Sequence, residues 1–312
     1  MDNVAHGCCD VNLGLYQSLL SSGYLQERRL ELGLRGGGGL FSDSLTVFLM
    51  IRQRLEGANS LEKTWSHCTR QDVLALSPNS KRAQSGRLSD SPSGFSNARH
   101  SLPQALVESA ADRLFSEALS LSGRNQPQIY LVDGSSLSLT NTPSIVKAYP
   151  PAENQHGPSH WPVAKVLVAH ELHTGLAIRP EFGPMYGPQA TSEQALVARL
   201  VERIPVDCLV MADSNFGVFS VAWALQPRRI LVGLSEQRAK AMLGKSADLS
   251  LEHDQPYTWR PSTHDRKSTP GLSEDACIQG RLVVVQLVNS KSATRRMRSP
   301  VALKELSVSD RR

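Results

Sequence analysis

Two short hydrophobic stretches of the sequence each lead to an aspartate. IYLVDGSSLSL contains Asp133, and VDCLVMADSNFG contains Asp213. A run of roughly four to eight apolar residues bounded by Gly, Asn or Ser predicts a buried strand, so each aspartate is expected at a strand end. An ionised carboxylate there is costly unless it is solvated, paired or metal-bound. Two such strand ends predict one divalent-metal site, whereas the alternative for either residue alone is a turn or a helix cap.

Paired carboxylates of this kind indicate phosphodiester chemistry. Two of them at neighbouring strand ends can hold two magnesium ions about 3.5 to 4 Å apart, one activating the attacking oxygen and one stabilising the leaving oxygen. That chemistry requires no covalent protein nucleophile. Ser135 and Ser136 follow Asp133, but no G-x-S-x-G motif surrounds them, which argues against a serine hydrolase.

The elements that must position these aspartates change in type along the chain. Beyond Gly123 the pattern predicts strands at 129–133, 137–140, 163–172 and 176–181, then a helix at 192–203, a strand at 208–212, a helix at 217–225 and a strand at 230–234. Strands that first form a meander and then alternate with helices predict a mixed α/β class rather than a sandwich. Residues 235–280 are polar and rich in Ser, Asp and Pro, which indicates an insertion before an apolar strand at 282–288.

The first third of the chain predicts helices. Residues 1–41 include the glycine run 36–39, whose backbone freedom resists regular structure, so we expect a flexible N-terminal segment there. Residues 42–125 are expected to form a helical region, with an amphipathic helix after Pro103. Cationic side chains on its first helices either form a phosphate-binding face or are solvated helix charges; these are Arg52, Arg54, Lys63 and Arg70.

Composition limits the other function classes. The 312 residues are 40% hydrophobic and 20% charged, which is typical of a soluble globular chain. The net charge of +5 equals the excess in residues 289–312, where seven Lys or Arg face two acids, so charge alone favours nucleic-acid binding only weakly. Five cysteines without C-x-x-C spacing imply neither a zinc finger nor a disulfide framework and favour the cytoplasm. No signal peptide and no run of roughly eighteen apolar residues is found, so no membrane contact is expected.

Longer segments carry a family resemblance. In chain order they are LTVFLMIRQRLEGANSLEKT, SGFSNARHSLPQALVE, VDGSSLSLTNTPSIVKAYPP, GPSHWPVAKVLVAHELHTG and PQATSEQALVARLVERIPVDCLVMADSNFG. Together they resemble the insertion sequence family 4 transposases, members of the DDE group with a ribonuclease-H-like catalytic core. The resemblance extends over most of the chain, and the order of the segments is distinctive.

This resemblance implies a complete set of expectations. The fold would be a ribonuclease-H-like mixed α/β sheet with flanking helices and a strand-rich insertion, occupying 126–312, behind a helical DNA-binding region at 42–125. Asp133 and Asp213 match the first two acids of the catalytic triad and would bind Mg²⁺ or Mn²⁺. The implied enzyme is a DDE transposase that cleaves DNA at its element's ends and joins the freed 3′-hydroxyl to target DNA. Its partners would be double-stranded DNA and, on that DNA, a second copy of the chain in the bacterial cytoplasm and nucleoid.

The sequence departs from the family pattern at the third acid of the catalytic triad. The family carries it in a helix motif Tyr-x2-Arg-x3-Glu-x6-Lys after the insertion, and this sequence lacks that motif. Its last residues, ALKELSVSDRR, resemble the approach to that helix, so we expect a truncated copy whose final catalytic helix is missing. Two alternatives to an active transposase therefore stay open: a non-catalytic DNA-binding remnant, and a nuclease or phosphoesterase of the same core fold.

Overall fold

The computed structural model describes residues 13–36, 39–55, 60–123, 128–244, 246–269 and 271–285. The chain divides into two compact units, Met1–Val210 and Met211–Arg312. Their boundary lies inside strand β5 (Leu209–Ala212), whereas the residue pattern predicts a domain boundary between residues 125 and 126.

The first unit opens with a helical region. Serine and threonine side chains start several of its helices, because each accepts a backbone N–H that has no partner within the helix: Ser21, Ser60 and Thr69 do so for α2, α4 and α5. The helices are α1 (residues 13–19), α2 (Ser22–Glu31), α3 (Asp43–Leu55), α4 (Leu61–Ser66), α5 (Arg70–Leu76), α6 (Lys81–Gln84), α7 (Ser93–Ser101) and α8 (Gln104–Leu121).

One hydrophobic core unites these helices. It includes the fully buried side chains Leu20, Leu25, Leu45, Leu49, Phe95 and Leu106. Most of residues 13–36 are helical, although we expected a flexible segment over 1–41, because Leu13, Tyr16 and Leu20 recur at helical spacing and pack into this core. Residues 1–12 and 37–38 of that segment lie outside the described residues.

The remainder of the first unit is built on a sheet. Strand β1 pairs antiparallel with β3, from Tyr130 opposite Glu171 to Ser138 opposite Val163. Along the other edge of β3 lie β2 and β4, both antiparallel to it, and β5 neighbours β1 on the far side. The elements are β1 (Ile129–Ser138), α9 (Pro143–Ala148), β2 (Pro151–Asn154), β3 (Gly157–Glu171), β4 (Glu181–Pro184), α10 (Glu193–Leu200), the 3₁₀ turn Val201–Arg203 and the start of β5.

Helix α10 covers one face of this sheet. It begins after Ser192, whose hydroxyl accepts the Ala195 N–H at 3.1 Å, and it packs against β3 and β4. Its apolar side chains Leu196, Val197 and Leu200 are buried, as is Leu167 of β3. The sequence predicted a helix at 192–203, and α10 with the following 3₁₀ turn fills that range.

Glu171, the last residue of β3, gives the first unit a pH-dependent contribution to stability. Burial acts to raise the pKa of its carboxyl, but hydrogen bonds from the Thr174 hydroxyl (2.6 Å) and N–H (2.7 Å), together with the backbone N–H and the charge of His173, outweigh it and hold the pKa below its ordinary value of 4.5. A lowered carboxyl pKa stabilises the fold above the unfolded-state value, and this contribution is lost as the pH falls through the folded-state pKa.

Thr174→Val should therefore raise the pKa of Glu171 and move the acid-unfolding midpoint to higher pH, because one charge-stabilising donor is lost. Acid titration followed by circular dichroism measures the midpoint. Thr174→Ser keeps the hydroxyl and serves as the control. Equal midpoints for the valine variant and the parent would show that the Thr174 hydroxyl does not lower the pKa of Glu171.

The second unit combines the end of β5 with helices and a strand pair. Strand β7 pairs antiparallel with β8, from His253 opposite Val284 to Trp259 opposite Ile278. Phe219, Ala222 and Ile278 form a small core against which Trp223 and Trp259 pack. The elements after β5 are α11 (Phe219–Leu225), β6 (Arg229–Val232), α12 (Glu236–Leu243), β7 (His253–Trp259), α13 (Thr263–Ser268) and β8 (Ile278–Val284).

The fold class predicted from the sequence, a mixed α/β sheet with flanking helices, is confirmed. The segment 235–280, expected as a strand-rich insertion, contains α12, β7, α13 and the start of β8. Within the described ranges, no helix combines the length and the apolar character needed to cross a membrane.

Candidate active site

Asp133 lies in the interior of β1 and not at its end. The strand continues through Gly134, Ser135 and Ser136 to Ser138, with every one of these residues opposite a residue of β3. The sequence pattern predicts separate strands at 129–133 and 137–140 with Asp133 at a strand end, and that prediction is wrong, because the long partner strand pairs with the residues between them. The Asp133 carboxylate is exposed, and its Oδ1 accepts the Gly134 N–H at 2.9 Å.

A second carboxylate approaches the same part of β1. A Cβ atom built on Gly134 would lie 2.5 Å from Cδ of Glu193, so the Glu193 side chain fills the space beside the residue that follows Asp133. Glu193 is the first residue of α10. The sequence alone does not single out Glu193, because an acid directly after a Ser N-cap usually means only a favourable interaction with the helix dipole.

Asp213 directly follows β5 in a tight turn, as the sequence predicts. Its Oδ1 accepts the Asn215 N–H at 2.9 Å, and its carbonyl accepts the Phe216 N–H at 3.2 Å. The Gly217 N–H donates to the Ser214 carbonyl at 3.3 Å. We call residues 213–217 the Asp213 turn. Its hydrogen bonds hold the exposed Asp213 carboxylate in one orientation.

Two glycines let the Asp213 turn pack against the end of β6. A Cβ on Gly217 would overlap the carbonyl oxygen of Gly233, and one on Gly233 would lie 3.0 Å from the Ser214 nitrogen. The Gly233 N–H also donates to the Ala212 carbonyl at 3.0 Å. The backbone approach at this point therefore excludes a side chain at Gly217 and leaves little room for one at Gly233.

Arg238, in the first turn of α12, also contacts the Asp213 turn. Its Nη1 donates to the Ser214 carbonyl at 2.7 Å, and its backbone N–H donates to the hydroxyl of the N-cap Ser235 at 3.4 Å. The sequence alone does not single out Arg238. No local pattern could have done so, since Ser214 and Arg238 are 24 residues apart.

The two predicted metal ligands have the right chemistry for magnesium. Each is an exposed carboxylate with one oxygen on a neighbouring backbone N–H, which leaves the second oxygen available to a hard cation. Within the described part of the chain, no group of three or more His, Cys, Asp or Glu side chains is arranged to hold a metal. Each of these carboxylates by itself thus fits a magnesium ion that keeps several of its waters.

The predicted phosphate-binding face of the helical region is only partly available. Arg52 is buried and contacts Asp72 at 3.4 Å, and Arg70 donates to the carbonyls of Ala83 and Gln84. Arg52 thus serves the interior of this region, whereas Arg70, Arg54 and Lys63 are exposed, and Arg70 has part of its donor capacity engaged by α6. The packing of α3, α5 and α6 determines which of these cationic side chains stay available. Residue spacing along the chain does not reveal that packing.

Comparison with known proteins finds a distant structural similarity and no sequence match. No protein-family model matches the chain, and no curated relative matches it. A solved structure, the piggyBac transposase synaptic complex with hairpin DNA, is similar at a TM-score of 0.38 and 12% sequence identity. The match covers 94% of this chain and 66% of that chain, so this chain spans just under two thirds of that transposase. At this level of similarity no family membership follows.

Proposed function

We propose that this chain acts on double-stranded DNA as a transposase of the insertion sequence family 4 type, with Asp133 and Asp213 as its magnesium ligands. One observation carries the proposal: the Leu209 N–H donates to the Gln128 carbonyl at 3.0 Å, which brings the first residue of β5 beside the residue that precedes β1. The ordered segments that resemble this family support it.

The direction of the two strands follows from that hydrogen bond. Strands β1 and β5 are sheet neighbours, and their starts lie together, so both run the same way. Helix α10, which connects β4 to β5, supplies the crossover that a parallel neighbour requires.

The chemistry proposed for this pair is in-line displacement at phosphorus. Magnesium, when bound, supplies positive charge at the attacking and leaving oxygens. Asp133 and Asp213 hold that charge in place, and the hydrogen bonds of the Asp213 turn fix one carboxylate before substrate binds. The nucleophile is water in hydrolysis and a DNA 3′-hydroxyl in strand transfer. No residue of the chain becomes covalently attached to DNA.

Neutralising either aspartate tests the metal site. We expect Asp133→Asn and Asp213→Asn each to reduce Mn²⁺ affinity by about tenfold or more while leaving the fold intact, because Asn keeps the shape and loses the charge that a hard cation requires. Calorimetric titration measures the affinity. Asp207→Asn is the matched control, since Asp207 is an exposed acid shortly before β5. Unchanged affinity in both test variants would refute the shared site.

The alternative is a DNA-binding protein without catalysis. It is favoured by one observation: among the residues that the structure describes, no group of three or more His, Cys, Asp or Glu side chains could hold a metal ion. Incubating duplex DNA that carries the element's ends with the full chain and Mg²⁺ separates the functions. Nicking followed by joining supports the transposase, nicking alone supports a nuclease, and end-specific binding without either supports the DNA-binding remnant. Cross-linking on the same DNA reports whether two copies assemble, as the proposed function requires.

A further inference from the structure

We propose that Arg238 binds a phosphate oxygen of the DNA strand that is cleaved at Asp213. This inference rests on the function proposed above and adds to it the residue that neutralises the substrate's charge. Its basis is the position of a guanidinium group on the same turn that presents the candidate metal ligand.

Arg238 is held by hydrogen bonds at its backbone and at its guanidinium group. The backbone N–H donates to the Ser235 hydroxyl that caps α12, and Nη1 donates to the Ser214 carbonyl at 2.7 Å. That carbonyl also accepts the Gly217 N–H, so it belongs to the hydrogen-bonded frame of the Asp213 turn. A guanidinium held in this way loses little conformational entropy when it binds an anion, because its rotamer is already selected.

Most of the hydrogen-bonding capacity of Arg238 remains available. A guanidinium has five N–H donors, and one of them is engaged by the Ser214 carbonyl. Among the described residues, no carboxylate forms an ion pair with Arg238, and its side chain is only half-buried. Arg281 of the same unit differs, since it makes two hydrogen bonds to the carboxylate of Asp254.

The negative charges of Asp213 and of the DNA phosphates require a cation at this position. DNA phosphates are repelled by exposed carboxylates such as Asp213, so a phosphodiester needs compensating positive charge beyond the metal. Arginine suits that purpose, because its planar donors match two phosphate oxygens at once. Arg238 therefore orients the strand and neutralises charge, while Asp213 binds metal.

The test separates phosphate binding from a structural role in the turn. We expect Arg238→Ala to weaken binding of a duplex oligonucleotide by about tenfold to a hundredfold and to reduce the salt slope of that affinity by about one, the signature of one lost phosphate contact. Mn²⁺ affinity should stay at the parent value. Arg238→Lys keeps the charge and should retain the salt slope while losing part of the affinity. Arg260→Ala, which removes an exposed arginine of the same unit, is the control for charge alone.

Two results would overturn the inference. If Arg238→Ala leaves both the DNA affinity and the salt slope at the parent values, Arg238 does not contact phosphate. If the variant instead loses Mn²⁺ affinity in parallel with DNA affinity, the arginine acts only by holding the Asp213 turn. Failure of the proposed function gives a different pattern, in which Asp133→Asn and Asp213→Asn retain Mn²⁺ affinity whatever Arg238→Ala does.

Discussion

Asp43→Ala is expected to lower the free energy of unfolding of the first unit by about 3 to 5 kcal/mol, because it leaves a buried arginine without its counter-charge. Arg29 donates from Nε and Nη2 to the two carboxylate oxygens of Asp43 at 2.5 and 2.7 Å. The side chains of Arg29 and Asp43 are 10% and 11% exposed, so water screens the pair little. Urea denaturation followed by circular dichroism measures the loss.

Two further variants test this explanation. Glu117→Ala breaks the ion pair of Glu117 with Arg113 on α8, where the side chains are 29% and 45% exposed, and it should cost less than about 1 kcal/mol. The double variant Arg29→Met/Asp43→Leu removes both charges and should regain most of the lost stability. If Asp43→Ala loses no more stability than Glu117→Ala, the buried Arg29–Asp43 pair contributes no more than the exposed pair.

Gly217→Ala is expected to destabilise the second unit by about 1 to 3 kcal/mol and to displace the Asp213 turn. The Cβ added at residue 217 overlaps the backbone carbonyl oxygen of Gly233. Because neither atom moves with a side-chain torsion, no side-chain rotation relieves the clash. Because Asp213 lies in this turn, Mn²⁺ affinity should fall together with stability. Thermal unfolding and calorimetric titration of the same variant measure the two effects.

Other glycines provide matched controls for that substitution. Gly280→Ala in β8 meets no atom within 4 Å and should leave stability and Mn²⁺ affinity near the parent values. Gly134→Ala meets the end of the Glu193 side chain, which can rotate away, so it should cost less than Gly217→Ala. A Gly217→Ala variant as stable as Gly280→Ala would disprove the close backbone approach.

The sequence by itself determined the features that depend on neighbouring residues. Helix α10 begins after Ser192 because a serine hydroxyl satisfies an N–H that has no partner within the helix, and the sequence carries that signal locally. The position of Asp213 after β5 is similar, since a short apolar run ending in Asp-Ser-Asn-Phe-Gly encodes both the strand and its turn. The alternation of strands and helices also predicted the mixed α/β class.

Only the tertiary structure decided the features that depend on distant residues. Strand β1 passes through Asp133 because β3 offers partners as far as Val163, and local turn propensity at Gly134 is weaker than that pairing. Arg52 is buried against Asp72 of α5, and the exposed Arg70 is engaged by carbonyls of α6, because other helices supply their partners. Arg238 joins the Asp213 turn through a carbonyl 24 residues away. Such contacts form between groups that only folding brings together, so residue spacing along the chain does not predict them.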